Sequence, residues 1–170
     1  MDKNTAAALE NFGAVWERVC GKGSESGGTG GDALGALREF IADEACAAAF
    51  YAACAQRGGR FAARLRELER DERAHLRTLQ GEYFLLTGEK CLPPGSCPLP
   101  RGGLRAMRSA YLDELAAAEG YRRAAEAPEN ADLAAIYLRH ASDEERHAGI
   151  LKELILLSLI HISEPTRPRL

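Results

Sequence analysis

The stretch from Thr87 to Gly103 holds four prolines and several glycines, so no regular helix or strand can run through it. It divides a chain that is otherwise rich in Ala, Leu, Glu and Arg, the residues helices favour. Before it, Asp32 suits the N-cap of a helix reaching about Arg57, and Gly58-Gly59 turns the chain into a second helix from about Arg60 to Leu86. After it, a third helix is expected from about Leu104 to Ala127, stopped by Pro128, and a fourth, entered through Asn130, from about Ala131 to Leu157. Tight turns make the members of each pair antiparallel neighbours, and the proline-rich connection is long enough to cross the bundle. The expected fold is all-α: an antiparallel four-helix bundle with a long crossover between helices two and three, occupying residues 32–156.

With 170 residues, 46% of them apolar, the chain suffices for one core and not for two. The net charge of -3 is spread with both signs mixed, which offers no basic tract for nucleic acid or an anionic membrane. No run of 18 apolar residues exists for a membrane span, and MDKNTAAALENF lacks a signal-like apolar region, so the cytoplasm is the expected compartment. Residues 1–31 read as a short helix over 4–19 followed by a flexible Gly-rich linker. At the other end, LSLIHISEPTR resembles the translation of a transposase adapter used in sequencing libraries, so residues 157–170 are expected to be non-native. His161 is therefore kept out of every site, and the natural C-terminus is expected to be missing.

The five cysteines are an odd number, which argues against a disulfide scaffold. Cys46 and Cys54 stand in Ala-rich helix one as small apolar residues. Cys91 and Cys97, in CLPPGSC, supply half of a four-thiolate metal site; ordinary loop thiols are expected in preference to a small disulfide or redox pair.

The chemistry lies in a doubled motif. Helix two carries Asp71-Glu72-Arg73-Ala74-His75 and helix four Asp143-Glu144-Glu145-Arg146-His147, so each presents Asp-Glu-x-x-His. Glu and His three apart lie about 60° apart on a helix and reach one point from adjacent turns. Helices one and three carry Glu44 with Tyr51 and Glu114 with Tyr121, the same seven-residue step, which returns to within about 20° of one face. The halves match as repeats, and superimposed they give one Glu from each of two helices and a Glu-x-x-His pair from each of the others, the arrangement that holds two iron or manganese ions. Oxygen and imidazole donors suit these metals, and four carboxylates balance two dications. A single Glu-x-x-His arises by chance on a solvated helix face; the doubled, evenly spaced set points to metal.

Other residues qualify the set. Glu119 competes with Glu114 but lies about 140° away around the helix, so only one of them faces the site. His140, four residues before Glu144, shares its face, either as a third imidazole ligand or, as expected here, as a core residue hydrogen-bonding behind the ligands. Asp71 and Asp143 are placed either to accept the outer N–H of a ligand histidine on a facing helix or to stand as solvated charges.

Over Asp32 to about Leu156 these motifs resemble the rubrerythrin and ferritin-like superfamily of di-iron carboxylate proteins. The resemblance implies a ferritin-like bundle in which Glu44, Glu72, His75, Glu114, Glu144 and His147 bind two iron ions, with manganese or a mixed pair as alternatives, and Tyr51 and Tyr121 donate to ligand carboxylates. It implies a redox enzyme that reduces peroxide or dioxygen with electrons from a separate donor such as a rubredoxin-like protein, since the chain has no pair of Cys-x-x-Cys motifs of its own. Rubrerythrins carry a further helix-three carboxylate where this chain has Ala117, so their redox-linked ligand switching is not expected here. The alternatives are an iron-oxidising storage protein without turnover, a manganese catalase-like enzyme and, least favoured, a metal-free helical interaction module. Dimerisation through outer helix faces is common for such bundles.

Overall fold

The computed structural model describes residues 30–57, 59–97, 103–126 and 130–163. The helix expected over 4–19, most of its Gly-rich linker, Cys20, Gly58, Pro128 and residues 164–170 lie outside the described residues. Within them the chain is an all-α bundle of four helices: α1 (Gly30–Arg57), α2 (Ala62–Thr87), α3 (Gly103–Ala125) and α4 (Ala131–Ser163), with a short 3-10 turn, Gly59–Phe61, leading into α2. Helix α1 packs along α2, and α3 along α4. No described helix is long and apolar enough to cross a membrane.

Local chemistry sets the ends. Gly88 adopts a left-handed conformation at φ 73° that a side chain would resist, and its N–H caps α2 on the Phe84 carbonyl at 2.8 Å. At the start of α4, Asn130 Oδ1 accepts the N–H groups of Asp132 and Leu133, both at 3.1 Å, satisfying two donors that the first turn leaves open. One expected boundary moves: α1 begins at Gly30, so Asp32 lies inside it and not at its cap; α4 runs on past Leu157 to Ser163, an extension that the apolar segment 157–162 allows. Leu154 is buried in α4, while Leu156, Leu157, Leu159 and Ile160 beyond it stand exposed.

The helices bury stripes that step by three and four residues, such as Leu65, Leu68, Glu72, His75, Leu79 and Tyr83 in α2, and Ala106, Ala110, Glu114, Ala118 and Tyr121 in α3. Apolar members of the stripes collect into two clusters. One joins Phe50, Tyr51, Leu65, Leu68, Ala110, Ile150 and Leu151; the other joins Leu37, Ile41, Leu79, Tyr83, Tyr121, Leu133 and Ile136. Residues at the middle of each stripe are polar, and they form a charged layer between the two apolar ones.

The cysteines depart from expectation. Cys46 in α1 and Cys97 in the connection form a disulfide across 51 residues, with Cα atoms 5.1 Å apart, while Cys54 and Cys91 remain free and half-buried. Cys46 is thus a crosslink and not an apolar filler, and Cys97 is not an ordinary loop thiol. The path that brings the connection back over α1 is tertiary, so spacing along the chain does not reveal the pair.

Candidate metal centre

The buried charged or imidazole side chains among the described residues are Glu44, Glu72, His75, Glu114, His140, Glu144 and His147, each no more than 5% exposed. All seven stand out in the sequence, and the structure gathers them into one layer. Glu119 lies outside it, exposed on α3 beside Arg123 at 3.8 Å.

The donors form two overlapping groups. Glu44, Glu72, His75 and Glu144 bring one donor atom each within 4.8 Å of one another, and so do Glu72, Glu114, Glu144 and His147. Each group holds three carboxylates and one imidazole, and Glu72 and Glu144 belong to both. His75 Nδ1 lies 2.9 Å from Glu144 Oε1, and His147 Nδ1 lies 2.9 Å from Glu72 Oε1. Yet Glu72 Oε1, Glu144 Oε1 and His75 Nδ1 are buried without a hydrogen bond. Each such orphan costs about 1–3 kcal/mol unless something else satisfies it. Donors this close but not aligned on one another converge on points between them, which suits a shared cation.

The outer face of each ring is held from the opposite half of the chain. His75 Nε2 hydrogen-bonds Asp143 Oδ2 at 3.3 Å, and His147 Nε2 lies 3.4 Å from Asp71 Oδ2. Burial alone would raise the Asp143 carboxyl, but its bonds to His75 and Arg146 hold it below the usual range, so it is ionised and only accepts. The ring nitrogen facing it carries the proton, and Nδ1 is the atom directed inward. Asp143 thus stands in the first of the two roles open to it in the sequence, while Asp71 lies near its ring and accepts from Arg146.

Arg146 is the residue that sequence reasoning missed. Its guanidinium donates to Asp71 at 2.8 Å and to Asp143 at 3.3 Å, joining the two supporting carboxylates. Its position in the second motif was visible, but its repeat mate is Ala74, so comparing the halves gave it no weight.

The tyrosines complete the cross-support. Tyr51 of α1 donates to Glu114 of α3, and Tyr121 of α3 donates to Glu44 of α1. Tyr121 also stacks on Phe40 with ring centroids 4.2 Å apart, a contact that phenylalanine would keep. Tyr121→Phe is therefore expected to lose about 1–3 kcal/mol of stability in urea unfolding through the buried carboxylate alone. Arg122→Ala, at the exposed pair with Glu145, should lose less than about 1 kcal/mol.

Electrostatics shows how the residues balance one another. Burial pushes the Glu44 carboxyl well above its ordinary range, with the nearby His75 ring opposing it, and pushes Glu114 up to about 7 against the nearby His147 ring. Burial likewise raises Glu72 and Glu144, but His147 and His75 outweigh it and hold both below normal. Burial disfavours charge on the histidines too, yet Glu144, Glu44 and Glu72 raise His75, and Glu114, Glu144 and Glu72 raise His147 to about 12. Protons here stand where the donor set would accommodate dications, and four carboxylates with two imidazoles fit two ions of the iron or manganese type.

A cavity of about 1220 Å³ opens between α1 and α3. Small residues, including Ala47, Ala110, Ala117 and Gly120, line it, and Glu44, Glu72, Glu114 and Glu144 reach it from within.

No family model matches the chain. Over 84 residues it is 33% identical to the uncharacterized protein YhjR of Bacillus subtilis (strain 168), an alignment covering 49% of this chain and 58% of that protein. The chain thus spans less than two thirds of that relative, whose name assigns no activity, and the functional reading rests on the buried layer.

Proposed function

We propose that this chain is a ferritin-like two-metal redox protein of the rubrerythrin type, which reduces peroxide or dioxygen with electrons from a separate donor. The observation that carries the proposal is the pair of overlapping donor groups sharing Glu72 and Glu144. Glu44, Glu72, His75 and Glu144 would hold one ion, and Glu72, Glu114, Glu144 and His147 the other, with iron favoured over manganese or a mixed pair. The antiparallel, ferritin-like arrangement belongs to the same reading. It is supported by the reciprocal bonds Tyr51 to Glu114 and Tyr121 to Glu44, which pair the later part of α1 with the earlier part of α3 and the reverse.

Two bound iron ions would supply the electrons that an oxidant takes up. The protein's own residues do the rest. Tyr51 and Tyr121 fix Glu114 and Glu44, the carboxylates that the two four-residue groups do not share, and Asp71 and Asp143 aim Nδ1 of each histidine inward. The two apolar layers keep bulk water from the ends of the site, while the cavity beside α1 and α3 gives a small oxidant a way in.

Peroxide turnover by the Fe(II)-loaded protein, with an artificial electron donor, tests the proposal. Sustained peroxide loss matched by donor oxidation, and abolished in Glu144→Ala, is the expected result. One oxidation of the bound iron followed by its retention would replace the proposal with the storage reading. Oxygen release without donor oxidation would replace it with a catalase.

A further inference from the structure

The two halves of the buried layer are not equivalent. The residue four positions before Glu144 is His140, whereas the residue four positions before Glu72 is Leu68, which is fully buried in an apolar cluster. His140 is 5% exposed, and its Nδ1 has no hydrogen-bond partner, so the hydrogen-bonding role expected for it is not found at that atom. Its ring stacks on His75 with centroids 4.1 Å apart, and it meets Tyr121 edge-on at 5.3 Å. Glu44, His75 and His140 form a further group whose donor atoms all lie within 4.8 Å of one another.

We infer that His140 is a third imidazole ligand, serving only the position built on Glu44 and His75, and that the two metal positions are therefore chemically unlike. This rests on the two-metal reading above. The Glu44 position would have two nitrogen donors and the Glu114 position one, since Leu68 has none to offer. Imidazole raises affinity for the later first-row dications, so the Glu44 position fills first and the two ions enter in separate steps.

Anaerobic calorimetric titration of the full chain with Co(II) reads this directly. Wild type should show two unequal steps, and His140→Leu, which copies the mirror position, should weaken the tighter one about 10–100-fold while leaving the other unchanged. Proton NMR of Co(II)-loaded wild type gives a second readout that needs no variant. Hyperfine-shifted N–H signals from three imidazoles are expected. Two shifted imidazoles, or a folded His140→Leu variant with wild-type affinities, would overturn the role of His140 while leaving the two-metal reading in place. Wild type that takes up no Co(II) and shows no shifted signals would overturn both.

Discussion

Elemental analysis after anaerobic Fe(II) loading should return about two iron ions per chain, and Glu72→Ala or Glu144→Ala should remove both. The expectation comes from how the donor groups overlap. Glu72 and Glu144 belong to both groups, whereas Glu44 and His75 serve one and Glu114 and His147 the other. Glu44→Ala and Glu114→Ala should thus each keep about one ion, giving a graded pattern that unfolding would not produce. Folding itself should survive. In the metal-free chain, losing Glu44 or Glu114 removes a carboxyl whose charge burial disfavours, while losing Glu72 or Glu144 gives up its attraction to His147 and His75 and opens a small void, a cost the two apolar clusters can carry. Far-UV circular dichroism of each variant checks this. Two ions retained in Glu72→Ala and Glu144→Ala, or no iron in the wild type, would refute the assignment of the shared carboxylates.

Thermal unfolding should respond to metal as strongly. A ligand that binds only the folded state stabilises it by about 2.7 kcal/mol at 100 times its dissociation constant. For a domain of this size each kcal/mol moves Tm by about 2–4 °C, so saturating Fe(II) or Mn(II) should raise Tm by about 5–11 °C. A chelator should reverse the shift. The effect is large because the layer is poorly satisfied by protein atoms alone: Glu72 Oε1, Glu144 Oε1 and His75 Nδ1 are buried without hydrogen bonds. Glu72→Ala, lacking a shared carboxylate, should melt at the same temperature with or without metal. An unchanged wild-type Tm across a metal titration would mean that the orphaned donors answer to something other than a dication.

Much of this layer was legible in the sequence because the polar residues obey the same three- and four-residue steps as the apolar core. A glutamate in a buried stripe, repeated at matching offsets in both halves, stands out without any contact map. Helix ends were legible to within a few residues where a glycine or an asparagine punctuated them, as at Gly88 and Asn130. What escaped depends on chain paths that spacing does not encode. The Cys46–Cys97 bridge needs the connection to return over α1. The reach of Arg146 to Asp71 crosses from α4 to α2. His140 was visible on the right face, but its unpartnered Nδ1 and its stacking on His75 appear only once α2 and α4 lie side by side.

The supports around the layer are exchanged between the halves. The α1 tyrosine holds the α3 glutamate and the α3 tyrosine the α1 glutamate, while His75 leans on Asp143 and His147 faces Asp71. Neither half contains a finished site, because every fixed ligand has its brace in the other. The chain therefore behaves as a dimer written into one polypeptide. Severed within the Thr87–Gly103 connection, the two fragments would have to reassociate to rebuild the centre. Two copies of the first fragment would reproduce the same exchanges about a true twofold axis, but with Leu68 in the place of His140 and Ala74 in the place of Arg146.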